Sequence, residues 1–234
     1  MSDKPVIYKY RFRFASGEEK LFVVALDTGN SGLLAAKEDG CPEWAALGFN
    51  KCPCCPLDEK TDDFCPAALS LAELVNAFKS SLSFEDVEVS IETDERTYLK
   101  RTTLQKGLSP LIGIYMAASG CPVMEKLRPM ARYHLPFATE DETKYRVFSM
   151  YLLAQFLRSR RGKAPDWEMK GLVKIYEDVR VVNSYIAKRL TSIKIEDANI
   201  NALIILDCFA DSVKFSINRD ALEDIEELFG LYLR

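Results

Sequence analysis

The chain has 234 residues, enough to bury a full core, so neither a metal nor a disulfide is needed merely to fold it. A net charge of −4 argues against a general nucleic-acid binder, which would show a basic excess, and leaves room only for a local basic patch. No window approaches the roughly 18 uninterrupted apolar residues of a membrane span, and the N-terminal residues lack the apolar core of a signal peptide, so a cytoplasmic location is expected.

Residues 6–14 alternate, with Tyr8, Tyr10, Phe12 and Phe14 on one face and Lys9, Arg11 and Arg13 on the other. That is the period of a half-buried antiparallel strand. A turn at 15–18 and a return strand over 20–27 complete a hairpin, and 27–32 is a loop by composition. The Cys-rich segment 41–66 holds too many prolines for a long helix, although Trp44 to Phe49 has room for one helical turn. Ser70-Leu-Ala-Glu73 matches a capping box and predicts a helix over 70–81, with Leu71, Leu74, Val75 and Phe78 on its apolar face. Residues 85–92 alternate again, followed by a turn at 93–95 and a return strand over 96–101. The acidic outer face of 85–92 complements the basic outer face of 6–14, which makes these strands expected neighbours.

From residue 103 the period becomes helical. An apolar helix is expected over 104–119, with Pro110 early in it or splitting it. Gly120-Cys121-Pro122 then punctuates the chain. A second helix should run to Tyr133, kinked or stopped early by Pro129. Thr139 to Glu142 is a capping box opening a helix to about 159, and Pro165-Asp166 opens one to about 190. Asp197 starts another through Val213, and Asn218 caps a last one over 221–233. The expected fold class is α+β: a small antiparallel sheet of two hairpins over 1–102 and a larger C-terminal helical bundle over 103–234. No linker composition separates the two, so they should share a core as one compact unit.

Five of the seven cysteines fall between Cys41 and Cys65. In a reducing compartment this density favours metal or redox chemistry over structural disulfides. Cys52 and Cys55 have the C-x-x-C spacing that lets two thiolates converge on one metal, and Cys65 is close enough to join them. A structural zinc needs four such ligands. The sequence leaves the fourth open among Cys41, Cys54, Cys121 and His134; Cys121 is the choice that would tie the sheet to the helical half. Three alternatives stand beside zinc: reduced thiols packed as small apolar side chains, an iron–sulfur cluster or haem suggested by the repeated Cys-Pro pairs, and a redox disulfide.

A second candidate is a thiol-dependent enzyme or redox sensor. Cys121 stands at a predicted helix N-terminus, where unpaired N–H groups can lower a thiol pKa. Arg128, Arg132 and His134, the only histidine, follow within 13 residues of it. Together they could serve a thiol-based site for an anionic substrate. Against this, a lone histidine beside Leu135, Pro136 and Phe137 fits a core residue, and the arginines fit pairing with Glu125 and Glu142. Asp207 and Asp211 lie four apart on one helix, but no Glu-x-x-His accompanies them. No phosphate loop, dinucleotide fingerprint or serine elbow is present. The helical half is expected to mediate contact with a protein partner or self-association.

At Cys52-Pro-Cys-Cys-Pro-Leu57, Gly120-Cys-Pro122 and Arg128-Pro-Met-Ala-Arg-Tyr-His-Leu-Pro-Phe137 the chain resembles an uncharacterised bacterial family, a domain of unknown function, over most of residues 6–211. Its Cys-Pro-x-Cys-Pro-Leu motif is matched by Cys52, Cys55 and Leu57, whereas Cys54 and Cys41 depart from it. The resemblance implies that Cys52, Cys55 and Cys65 are better ligands than those two, and it implies no activity.

Overall fold

The computed structural model describes residues 4–34, 41–218 and 223–234. Four strands, β1 (Val6–Phe14), β2 (Glu19–Leu26), β3 (Asp86–Glu92) and β4 (Thr97–Thr103), form one antiparallel sheet in the order β2-β1-β3-β4. Both hairpins form, and they pair through β1 and β3. Arg13 sits opposite Glu88 in that register, and the two side chains meet at 3.4 Å. Such exposed pairs add little stability, but they fix which strands are neighbours.

The inner face of the sheet carries Tyr10, Phe12, Phe22, Val89 and Ile91, all buried. Phe12, Phe22 and Phe78 contact one another ring to ring, at centroid distances of 5.2–6.1 Å. Helix α3 (Leu104–Ala118) lies across this face. Gly107 allows the approach, because a Cβ there would stand 2.8 Å from Val89 Cγ2. On its other side α3 packs against α7 (Ala198–Asn218), which in turn packs against α6 (Lys170–Thr191). Buried residues of the sheet and of the helices belong to one continuous core. No helix of the described residues is long and apolar enough to cross a membrane.

Several helix boundaries differ from the sequence expectation, each for a local reason. The helix predicted over 70–81 is two short ones, α1 (Pro66–Ser70) and α2 (Ala72–Ala77). Pro66 starts the first, as proline does at a first helical position. Ser70 therefore ends a helix where a capping box would have it begin one, and its hydroxyl donates to the Ala67 carbonyl at 2.9 Å. The segment after Cys121 is a 3-10 turn (Met124–Leu127) followed by α4 (Arg128–Arg132), with Pro129 in its first turn. The Thr139 capping box forms as expected and opens α5 (Glu140–Arg160). Helix α6 begins at Lys170, later than Asp166, with Met169 in the left-handed region at φ 55°. Asp166 still caps it from upstream, accepting from the Gly171 N–H at 2.6 Å and the Tyr151 hydroxyl at 2.8 Å. Asn218 lies in the last turn of α7, and α8 is Glu223–Leu228. The expected start of that last helix at Ala221 lies outside the described residues.

Candidate functional site

The Cys-rich loop is pinched at its neck. The Cys65 N–H donates to the Ala45 carbonyl at 2.8 Å and the Leu47 N–H to the Asp63 carbonyl at 2.9 Å. At its far end the Cys55 N–H donates to the Cys52 carbonyl at 3.0 Å, closing the turn that C-x-x-C spacing predicts. Arg189 of α6 anchors the neck. It is 1% exposed, and it donates to the carbonyls of Trp44 and Ala46 at 2.7 Å and of Leu47 at 3.2 Å. Its spacing from Val182 and Ile186 places it on the buried stripe of the helix, a signal present in the sequence.

Cys65-Pro66 and Gly120-Cys121 lie side by side: Gly120 has φ +91°, and a Cβ there would sit 4.0 Å from Pro66 Cβ. Cys52, Cys65 and Cys121 are buried, Cys54 and Cys55 are partly buried, and Cys41 and Cys208 are exposed; all seven are free thiols. Burial, then the neighbouring Cys65, Cys54, Cys121 and Cys55 thiols, pushes the Cys52 pKa up to about 12. Burial also raises the Cys121 pKa, with Cys65 and Cys55 adding to it, and outweighs the lowering effect of the Met124 and Val123 N–H groups. Burial thus works against the thiolate that a helix N-terminus could favour at Cys121. Cys52, Cys55, Cys65 and Cys121 are thus brought within reach of one another's charge. Among the described residues, however, no three His, Cys, Asp or Glu side chains are placed so that they could hold a metal ion.

The enzyme constellation is distributed differently. His134 Nε2 hydrogen-bonds the Tyr10 hydroxyl, and its ring meets Tyr8 edge-on at 5.4 Å. Desolvation, reinforced by Arg146, drives its pKa down to about 3, so it is a neutral imidazole. Tyr10 is wholly buried and this is its one hydroxyl partner among the described residues; a buried hydroxyl proton needs an acceptor, which assigns Tyr10 as donor to Nε2 and the imidazole proton to Nδ1. Arg128 pairs with Glu125 at 2.7 Å. The Arg132 carbonyl accepts from the Tyr8 hydroxyl, while its Nη1 is buried without a partner. No hydrogen bond joins Cys121 to His134, and neither is among the groups that perturb the other. Asp207 and Asp211 are taken up by Arg180, at 3.6 and 2.5 Å.

His134 faces a feature that no sequence spacing marks. A cavity of about 630 Å³ lies among α3, α4, the loop to α5, α6 and α7. Most of its wall is apolar, including Met124, Met130, Val179 and Phe209. Exposed Ile204 and Cys208 stand at its open side. Arg146, Tyr176 and Asn183 are its inner polar groups. Phe137, on the rim, holds φ at 60°, a strained backbone for a bulky residue, beneath the Lys100 ammonium at 5.6 Å.

Residues 8–230 match the family described as Domain of unknown function (DUF6901). No curated protein and no solved structure matches the chain.

Proposed function

The chain belongs to this family of unknown function, and from that premise we propose that it is a binding protein whose ligand site is the cavity walled by α3, α6 and α7. The observation that carries the reading is Asn183. It is 2% exposed on the cavity wall, and its side-chain amide nitrogen has no hydrogen-bond partner. An unmatched buried amide costs about 1–3 kcal/mol and is retained where something else completes it. A largely apolar recess of this size with a few convergent polar groups has the character of small-molecule sites. Native mass spectrometry of the full chain, purified without organic solvent, tests this together with thermal-shift screening against apolar small molecules. A bound mass or a stabilising compound is expected. Neither appearing, or stabilisation unchanged by Asn183→Leu, overturns the reading.

A second reading concerns the thiols. We propose that Cys52, Cys55, Cys65 and Cys121 take up a soft cation, with Zn2+ the first candidate. What favours it is that, after burial, the strongest influences on the Cys52 thiol are the other thiols. A divalent cation among them would reverse that repulsion and release their protons. As placed they do not form a ligand group, so binding requires the 52–55 turn to close on Cys65 and Cys121. Zinc content of chelator-free protein decides it: well below one equivalent removes the proposal. Exposed Leu153, Phe156 and Leu157 on α5 support a protein-contact surface on the helical half. A strictly monomeric mass at all concentrations in light scattering argues against self-association there.

A further inference from the structure

The cavity offers hydrogen-bond donors and positive charge to its occupant, and a single carboxylate. Arg146 uses one guanidinium nitrogen on the carbonyls of Met130 and Tyr133, and pairs with no carboxylate among the described residues. Lys100 and Lys106 also line the space without a carboxylate partner among those residues. The one acidic lining residue is Glu140, which Lys144 already holds at 2.7 Å. His134 Nε2 is occupied by Tyr10, which leaves its Nδ1–H for an occupant. The Tyr176 hydroxyl makes no hydrogen bond to another described residue, and the Asn183 amide nitrogen has none. Three cations lining one cavity stand out in a chain whose net charge is −4. The remaining lining is mostly apolar, with hydroxyls at Thr102, Ser109, Thr139 and Thr143.

We propose that the occupant is an organic anion with an apolar body, of the class of fatty carboxylates. Its headgroup is bound by Arg146 and the His134 Nδ1–H, and its hydrocarbon part lies along Met124, Met130 and Phe209. This rests on the cavity reading above and adds the ligand's chemistry to it. A carboxylate is suited to the planar donor fork of Arg146. Because the imidazole is neutral, it serves as a donor and adds no charge. Met side chains adapt to flexible chains of varying length. Exposed Lys100 and Lys106 draw the anion toward the open side.

The test uses the full chain with dodecanoate and its neutral counterpart dodecanol, each displacing a neutral, polarity-sensitive apolar dye. Dodecanoate is expected to bind at least about tenfold more tightly than dodecanol, as a charge-assisted pair in a dry site requires. It should also slow alkylation of Cys208 at the open side and leave that of exposed Cys41 unchanged. Arg146→Gln should remove the preference for the acid while dye binding persists. Because Arg146 also holds two carbonyls, exposed Lys106→Glu provides a second variant, expected to weaken dodecanoate and spare dodecanol. Equal or tighter binding of dodecanol overturns the anion assignment and leaves the cavity reading intact. No binding of acid, alcohol or dye overturns both. Dodecanoate affinity unchanged in both variants places the acid elsewhere and also overturns the proposal.

Discussion

The guanidinium of Arg189 hydrogen-bonds the carbonyl oxygen of Trp44 at 2.7 Å across 145 residues of sequence. Two further carbonyls, of Ala46 and Leu47, accept from its Nη atoms, while its Nε is buried without a partner. No carboxylate among the described residues pairs with this charge, so backbone dipoles alone stabilise it. The arrangement holds the neck of the Cys-rich loop against α6. Replacing Arg189 with alanine strands three carbonyls and should lower unfolding free energy by about 3 kcal/mol or more. Lysine keeps the charge but has no planar fork to span three acceptors, so it should fall between the two. Urea unfolding midpoints check this. An alanine variant as stable as the parent would mean that the loop neck is held by something else.

Burial of His134 makes a pH prediction with a definite sign. The imidazole pKa is about 3 in the folded chain, against the ordinary value of 6.5 expected once unfolded. Between those two values the unfolded state binds a proton that the folded state does not. Stability from this group is therefore intact above pH 6.5 and is lost as pH falls toward 3, by about 1.4 kcal/mol per pH unit inside the window. His134 is the only histidine, so its ring resonances can be assigned without ambiguity. At pH 5 they should still report a neutral ring. His134→Gln should flatten the stability profile between pH 6 and 5, and a variant with the parent's slope there would contradict the assignment.

Gly107 sets the distance between the sheet and the helical half. A methyl group there would meet Val89 Cγ2 at 2.8 Å and Phe12 Cε1 at 3.2 Å, and neither is the far end of a flexible side chain. Gly107→Ala should gain about 1 kcal/mol of helix propensity. Displacing α3 from Val89 and Phe12 should cost about 1–3 kcal/mol. The net expectation is a lower melting temperature, read by circular dichroism. Gly162, with φ +70° and nothing near its missing Cβ, gives the contrast: alanine there strains the backbone without touching the core. A Gly107→Ala protein that melts higher than the parent would show that α3 can tilt to make room.

What the sequence revealed depended on whether the signal was local. The alternation of 6–14 and the opposite charges of 85–92 predicted β1 beside β3, because cross-strand pairing reads directly from side-chain faces. Thr139 to Glu142 was legible because nothing upstream competed for that helix start. Ser70 to Glu73 has the same pattern of letters, but Pro66 nucleates four residues earlier. The cavity was not legible at all. Lys100, His134, Asn183 and Phe209 come from separate elements of the chain, and each alone reads as an ordinary surface or core residue. The nearness of Cys121 to the Cys52–Cys65 turn lay between these extremes. Repeated Cys-Pro pairs suggested it, but the packing of Gly120 on Pro66 is what brings it about.

That packing yields a reactivity pattern which separates the thiols chemically. Attack on an alkylating reagent requires an exposed thiolate. Cys41 and Cys208 are exposed, while Cys52, Cys65 and Cys121 are buried. Cys52, with its pKa pushed up to about 12, and Cys121, with a raised one, carry almost no thiolate at neutral pH. Native protein should therefore label quickly at Cys41 and Cys208 and very slowly at Cys52, Cys65 and Cys121. Denaturant should release all seven. Peptide mapping after timed alkylation reads the order directly. Rapid native labelling of Cys121 would restore it as a candidate nucleophile. Protection of Cys52, Cys55, Cys65 and Cys121 together that collapses on adding a chelator would instead indicate a bound cation. Slow labelling unaffected by chelator would show instead that burial alone shields the thiols.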